Sequence, residues 1–278
     1  MKFNNSAFAR FFRYFPKLFS AGLLYSVPLA VFVGIFILIG YLTGLNNIIL
    51  WGLGIIPAAP MLAGLVMVIR KIAIEKTDVR LFDIFLTAVK ENLKAFLLHG
   101  VVMYLIISCT FFSLLYYGSL ARTDIVYGYI LTIYVLFTAI LLIMMFYIPI
   151  MSVTYELRMW DIYKNSFLLV FGKILRNLSA LALVLIVSLA AFSAIVFLSG
   201  VWLWVVVAVI VLLYPLLFFY ITISVISKGL QDAVGSFTNP LPSDSDDSEE
   251  VKEAICNAAS DSDYVYVNGK MIKVDKNK

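Results

Sequence analysis

Six long apolar runs divide the first 228 residues of the chain, and they limit its fold more than any other feature. A helix that crosses the hydrocarbon core of a bilayer needs roughly 20 mostly apolar residues. The chain is 63% hydrophobic and only 14% charged, whereas soluble domains carry about 25% charged residues. We therefore predict an all-α, polytopic membrane domain over residues 19–228, surrounded by the lipid bilayer. Its transmembrane helices are expected near 19–43, 48–69, 97–118, 125–150, 178–199 and 201–227.

Lys and Arg in the connecting segments predict the orientation of these spans. Short cytoplasmic loops of membrane proteins are enriched in Lys and Arg. Fourteen such residues lie in the N-terminal segment and in the loops after the second and fourth spans, whereas Arg122 alone lies on the opposite side. We therefore expect a multi-pass protein of the cell membrane with both termini in the cytoplasm.

A seven-residue pattern occurs twice, as "VRLFDIF" at residues 79–85 and as "LRMWDIY" at 157–163. After the first copy the polar residues are spaced by three and four, which indicates one stripe on a helix. The second copy keeps this stripe, but Leu168 and Leu169 interrupt it. Residues 1–18 show the same spacing. We therefore predict three amphipathic helices in the cytoplasmic interface. A parallel internal repeat is one interpretation of the two copies. The other is that the two loops acquired the same amphipathic spacing independently, without duplication.

The polar stripes of the two loops are the first candidate site. A patterned, charged face above spans that lack a reactive centre is typical of a surface that docks a partner. The residues predicted to dock it are Arg80, Asp83, Lys90, Asn92, Lys94, Arg158 and Asp161.

The second span contains "IIPAAPMLAGL", which is the second candidate site. Pro57 and Pro60 each lack a backbone N–H, and Gly64 lacks a side chain. One interpretation is a kinked helix that packs closely against its neighbours. The other is a broken helix whose freed carbonyl groups line a pathway for a small solute.

Residue types that carry catalysis or bind metals are scarce in the spans. No Asp, Glu, Lys or Arg lies in the middle of any span, and His99 is the only histidine. Cys109 and Cys256 are too far apart in the sequence to suggest a metal motif. We therefore expect no catalytic, cofactor-binding or metal-binding residues, no enzymatic activity, no cofactor and no nucleic-acid partner.

Residues 229–278 have a different composition from the rest of the chain. After residue 235 the chain has nine acidic residues and five Lys, and five of the acidic residues lie between Asp244 and Glu250. We predict a cytoplasmic acidic tail that is partly disordered. Asn268–Gly269 is typical of a tight turn, so a β-hairpin is expected at 264–274.

The segments "PAAPMLAGLVMVIRKI" and "DIFLTAVKENLKAF" resemble the YesL-like family of bacterial membrane proteins, whose function is unknown. The resemblance covers about residues 5–228, and it rests on Pro60, Ala63, Leu65, Arg70, Lys71, Asp83, Phe85, Lys90, Asn92 and Phe96. It implies a plasma-membrane protein that is often encoded beside genes for carbohydrate transport and degradation. It brings no catalytic residues.

Together, the residues and the resemblance predict an accessory protein without enzymatic activity. It is expected to assist or regulate a carbohydrate ABC importer by binding the importer's membrane subunits. The alternative is a small-solute transporter or channel with its pathway at Pro57, Pro60 and Gly64.

Overall fold

The computed structural model describes residues 7–45, 47–77, 80–155, 157–234, 264–267 and 270–273. Most of them form helices, which we number along the chain. The elements are α1 (Ala7–Arg13), α2 (Phe15–Thr43), α3 (Ile48–Gly52), α4 (Ile55–Arg70), a π-helical turn (Lys71–Glu75), α5 (Leu81–Leu120), α6 (Ile125–Thr154), α7 (Met159–Gly172), α8 (Ile174–Phe197), α9 (Gly200–Val234), β1 (Tyr264–Val267) and β2 (Lys270–Lys273).

Within the part of the chain that the structure describes, six helical segments are long and apolar enough to cross a membrane, which confirms the predicted fold class. They are Phe15–Thr43, Ile48–Glu75, Leu81–Leu120, Ile125–Thr154, Ile174–Phe197 and Gly200–Ser227. Helix α4 is the central one, because every residue from Leu62 to Arg70 is buried. It packs against α2, α5, α6 and α9. The other spans expose many large apolar side chains on their outer surfaces, which is expected where the surrounding solvent is lipid.

Helix α5 differs from its prediction. The sequence suggested an amphipathic surface helix that starts at the first copy of the seven-residue pattern and a separate span over 97–118, but Leu81–Leu120 is one helix of 40 residues. At 1.5 Å per residue it is about 60 Å long, roughly twice the thickness of the hydrocarbon core. Strong helix formers such as Leu and Ala occupy the predicted junction, so nothing interrupts the helix there. In the second copy, by contrast, α7 ends at Gly172 and α8 begins at Ile174.

The two interpretations of the proline-rich stretch can be compared with the structure, in which α4 is continuous from Ile55 to Arg70. Pro57 lies in the first turn, where backbone N–H groups have no intrahelical acceptor anyway. Pro60 lies inside the helix without ending it. The Ile56 carbonyl, which Pro60 deprives of its usual donor, faces Gly100 of α5: a Cβ atom at Gly100 would lie 3.2 Å from that oxygen. The proline-rich stretch therefore favours close packing of α4 against α5.

Gly64 supports the same conclusion. A Cβ atom added there would lie 2.7 Å from ring atoms of Phe85, which is 1% exposed. The notch left by Gly64 is thus filled by an aromatic ring from α5. Of the two interpretations of this stretch, the structure supports the tightly packed helix.

Three elements meet at the end of the domain that the sequence predicts to be cytoplasmic. Helix α1 and α9 both contact the π-helical turn. The rings of Phe11 in α1 and Tyr220 in α9 lie 5.0 Å apart, edge to face. The polar stripe predicted for residues 1–18 is divided between two helices, because α1 ends at Arg13 and Lys17 belongs to α2.

Within the tail, β1 and β2 pair in antiparallel orientation, with Val267 opposite Lys270 and Tyr264 opposite Lys273. Residues 268 and 269, where the turn was predicted, lie outside the described residues, as does the acidic segment 235–263. Helix α9 extends to Val234, beyond the predicted end of the sixth span.

Candidate functional site

The first half of α5 has one buried face and one exposed face. Phe85, Ala88, Val89 and Phe96 are buried, and α4 is the helix that α5 packs against most extensively. The opposite side of the helix exposes a polar stripe, which we call the α5 stripe. It consists of Asp83, Thr87, Lys90, Glu91 and Lys94.

Arg80 is also exposed, immediately before the first turn of α5. Because the buried face fixes the helix against the central span, these charged side chains project from a rigid base. Such a base is suited to a binding surface, since little order has to be gained when a partner binds.

Asn92 does not belong to this surface, which corrects the predicted set of docking residues. Its side chain is 8% exposed, and its Nδ2 atom donates a hydrogen bond to the Ala88 carbonyl at a distance of 2.9 Å. Position 92 lies four residues after Ala88 and four before Phe96, so it falls on the buried face of the helix. The amide is satisfied within its own helix and needs no partner from another protein.

The charged residues of the second copy occupy a different setting. Arg158 is exposed at the start of α7, and Asp161 is half-buried. The exposed face of α7 is mainly apolar, with Trp160, Phe167, Leu168 and Phe171 all prominent. The outer face of α5 also exposes Phe82, Leu86 and Leu93, but it carries more exposed charged residues than the outer face of α7.

His99 joins three helices through its two ring nitrogen atoms. Its Nε2 atom lies 2.6 Å from the Ser152 hydroxyl in α6, and its Nδ1 atom lies 2.9 Å from the Tyr163 hydroxyl in α7. The imidazole is 2% exposed and packs edge to face on Phe96. A neutral imidazole has one donor and one acceptor nitrogen, so both bonds can be satisfied at once. This group links the surface helix α7 to two spans.

Sequence reasoning missed the two partners of His99. Ser152 and Tyr163 lie 53 and 64 residues away along the chain, and no local pattern marks them as neighbours. A buried serine–histidine pair resembles part of a hydrolytic triad. Here the third member is a tyrosine, whose pKa is raised to about 12 by burial. The three hydrogen-bonded side chains are therefore suited to hold α5, α6 and α7 together.

Asn177 makes a second polar junction at the start of α8. Its Oδ1 atom accepts a hydrogen bond from the Tyr147 hydroxyl of α6 at 2.6 Å. Its Nδ2 atom donates to the carbonyl groups of Leu169 and Val170 in the last turns of α7, each at 2.9 Å. Asn177 is completely buried, and it fixes the corner between α7 and α8.

A small cavity adjoins His99 between α4, α5, α6 and α7. Its volume is about 10 Å³, and its lining is apolar apart from His99 and Tyr163. A buried water molecule needs at least about 10–15 Å³. The cavity is therefore too small for a sugar or another solute of similar size.

An ion pair between a buried Arg and a partly exposed Glu marks the predicted cytoplasmic end of α4. The Arg70 side chain is 2% exposed, and its guanidinium lies 2.9 Å from the Glu75 carboxylate. The Lys71 ammonium lies 3.7 Å from the other oxygen of the same carboxylate. The π-helical turn Lys71–Glu75 brings the carboxylate to these cations, and Lys76 then ends the turn with a positive φ of 59°. Irregular turns of this kind are frequent at functional sites.

Among the residues that the structure describes, no group of three or more His, Cys, Asp or Glu side chains is placed to hold a metal ion. The described sites are thus an exposed charged stripe, two buried polar junctions and the ion pair between Arg70 and Glu75.

These observations define a multi-pass helical membrane protein. Comparison with known families adds one finding: the sequence profile of a family described as "Protein of unknown function, DUF624" matches residues 41–114. The match includes the continuous α4, the Arg70–Glu75 pair, the whole α5 stripe and His99. No curated protein and no solved structure matches the chain.

Proposed function

We propose that the chain is an accessory protein of the cell membrane, without enzymatic activity, whose α5 stripe binds the membrane subunits of a carbohydrate ABC importer. One observation carries the proposal: the charged face of α5 is exposed while the opposite face is fixed against the central span. The class of partner comes from the resemblance to the YesL-like family. The DUF624 match overlaps the segments on which that resemblance rests.

The charges of the stripe also suit a protein partner. Asp83 and Glu91 alternate with Lys90 and Lys94, and Arg80 lies beside them. A face of mixed sign can discriminate between partners, because wrong pairings place like charges together. A uniformly basic face would favour nucleic acid or anionic lipid instead.

The transport alternative has less support. It required a break at Pro57, Pro60 and Gly64, but this stretch is helical, and the gap at Gly64 is filled by Phe85. The nearby cavity of about 10 Å³ does not admit a solute.

Photo-crosslinking in native membranes tests the proposal. A photoreactive amino acid is placed at Thr87, in the middle of the α5 stripe, and at Leu136, an exposed apolar position of α6 that serves as the control. We expect crosslinks from position 87 to importer membrane subunits, identified by mass spectrometry. Position 136 should give lipid adducts.

A charge-reversal variant, Lys90→Glu/Lys94→Glu, should abolish the protein crosslinks without changing the amount of the chain in the membrane. Crosslinks from position 87 to lipid alone would overturn the proposal. Crosslinks to an unrelated membrane protein would retain the docking function but reject the importer as its partner.

A further inference from the structure

Helix α7 exposes an apolar face although it is not one of the six spans. Trp160 is 78% exposed, and Phe167, Leu168 and Phe171 are each about half exposed. With Lys164, these residues are spaced by three and four, so they lie on one side of the helix. We call this side the α7 face. A contiguous apolar face in water would be an aggregation hazard, so it must be covered by lipid or by protein.

The opposite side of α7 is tied to the membrane domain. Ile162, Ser166 and Val170 are buried, and the Ser166 hydroxyl lies 3.6 Å from the Met151 sulfur of α6. The bonds from Tyr163 to His99 and from Asn177 to the end of α7 hold both halves of the helix. The α7 face therefore has a fixed direction relative to the spans.

The α7 face is continuous with a surface that lies in lipid. Immediately after it, Ile174, Leu175 and Leu178 are exposed at 62%, 79% and 59%. They belong to α8, which is one of the six spans. Exposed apolar side chains therefore resume in a transmembrane helix at Ile174, three residues after Phe171, which places the end of the α7 face next to lipid.

Positive charges surround the α7 face. Lys164 is exposed within it, while Arg158 precedes the helix and Lys173 and Arg176 follow it. Counting Glu156 and Asp161, residues 156–176 carry four cations and two carboxylates, a net charge of +2. Long basic side chains place their stems along apolar surface and their charged ends at the level of the lipid headgroups.

We propose that the α7 face binds anionic phospholipids of the cytoplasmic leaflet, with the aromatic side chains in the acyl region and Lys164 on the headgroup phosphate. The basic residues at both ends of α7 add to the attraction. This inference does not depend on the importer proposal, which concerns the α5 stripe. Together, the two proposals assign different partners to the two outer faces: protein for α5 and lipid for α7.

Tryptophan fluorescence provides the test. The chain has four Trp residues, so the variant Trp51→Phe/Trp202→Phe/Trp204→Phe retains Trp160 alone. This full-length variant is reconstituted in vesicles that contain brominated phosphatidylglycerol or brominated phosphatidylcholine at equal mole fraction. A variant that retains only Trp202, which is 70% exposed in α9, serves as the control.

We expect both brominated lipids to quench Trp160, and phosphatidylglycerol to quench it more strongly. Trp202 should show no such preference. The change Lys164→Gln should reduce the relative affinity of the site for phosphatidylglycerol by roughly fivefold, which is the effect of one cation at an anionic surface.

Two results would overturn the inference. Quenching of Trp160 by aqueous iodide but not by brominated lipid would show that the α7 face lies outside the bilayer. Equal quenching by the two lipids, unchanged in Lys164→Gln, would show that the face contacts lipid without selecting its headgroup. Circular dichroism and gel filtration of each variant verify that it is folded.

Discussion

The Nε2 atom of His99 lies 2.6 Å from the Ser152 hydroxyl, although 53 residues separate the two along the chain. With the Tyr163 hydroxyl on the other ring nitrogen, one imidazole connects α5, α6 and α7. The same ring borders the small cavity. His99 therefore determines how a helix outside the spans is attached to the membrane domain.

The change His99→Ala should destabilise the protein. It leaves the hydroxyl groups of Ser152 and Tyr163 buried without their partner, at a cost of about 1–3 kcal/mol for each unsatisfied group. Thermal unfolding in mild detergent measures the loss. Tyr129→Phe, at a position that is 65% exposed, should have almost no effect. An unchanged midpoint for His99→Ala would contradict the bridging role of the imidazole.

Tyr163 should make the stability of the protein sensitive to alkaline pH. Burial raises the pKa of its hydroxyl from 10.0 to about 12. Between pH 10 and 12 the unfolded chain loses this proton while the folded protein retains it, so the free energy of unfolding falls as the pH rises. The change Tyr163→Phe removes this contribution. Unfolding midpoints measured from pH 8 to pH 12 should decline less steeply for the variant, and equal slopes would contradict the prediction.

Gly64→Ala should overpack the contact between α4 and α5. The new methyl group would lie 2.7 Å from the buried ring of Phe85, and such insertions cost about 1–3 kcal/mol. Gly118→Ala is the matched control, because nothing lies within 4 Å of a Cβ atom at that position. It should be neutral or stabilising, since alanine favours the helix. If the cost comes from the ring, the added change Phe85→Leu should recover part of the lost stability.

Asn177→Ala should loosen the corner between α7 and α8. It removes the hydrogen bonds to the Tyr147 hydroxyl and to the carbonyl groups of Leu169 and Val170, of which the Leu169 carbonyl keeps a bond from the Lys173 N–H. We expect a loss of stability of about 1–3 kcal/mol and faster proteolysis near residues 172–174. Ser179→Ala is a suitable control, because the Ser179 hydroxyl is exposed and bonds only within its own helix. Equal proteolysis of both variants would argue against the role of Asn177.

Glu75→Gln should be more damaging than Lys71→Gln, although both changes remove one partner from the same cluster. Arg70 is nearly inaccessible and lies 2.9 Å from the carboxylate, so Glu75→Gln removes the negative charge beside a buried guanidinium. Lys71 is one-third exposed and lies 3.7 Å away, so its contribution should be at most about 1 kcal/mol. Unfolding in detergent compares the two variants, and the reverse order would contradict the assignment.

The sequence was sufficient to predict six spans, because hydropathy over about 20 residues depends only on local composition. It also identified the spacing that produces the exposed stripe of α5. It did not show that α5 is one helix. The polar surface segment and the apolar span differ in composition and therefore look like two elements in the sequence, but the helical backbone continues from one into the other. The sequence analysis placed Asn92 on the docking surface because a polar side chain is usually exposed. In the structure its side-chain amide donates a hydrogen bond to a carbonyl group of its own helix.

The two polar junctions could not be predicted, because their members lie far apart in sequence. Their positions nevertheless bear on the internal repeat. His99 lies sixteen residues after Asp83, and Asn177 lies sixteen residues after Asp161. Both are buried, and both bond to a hydroxyl group of α6. The correspondence favours the duplication interpretation over independent origins of the two segments.

The unbroken course of α5 has a geometric consequence. The helix is about 60 Å long and has no break between Leu81 and Leu120, so the charged side chains at one end are joined by regular backbone to the half that crosses the membrane. Their height above the bilayer is therefore set by the same helix that spans it.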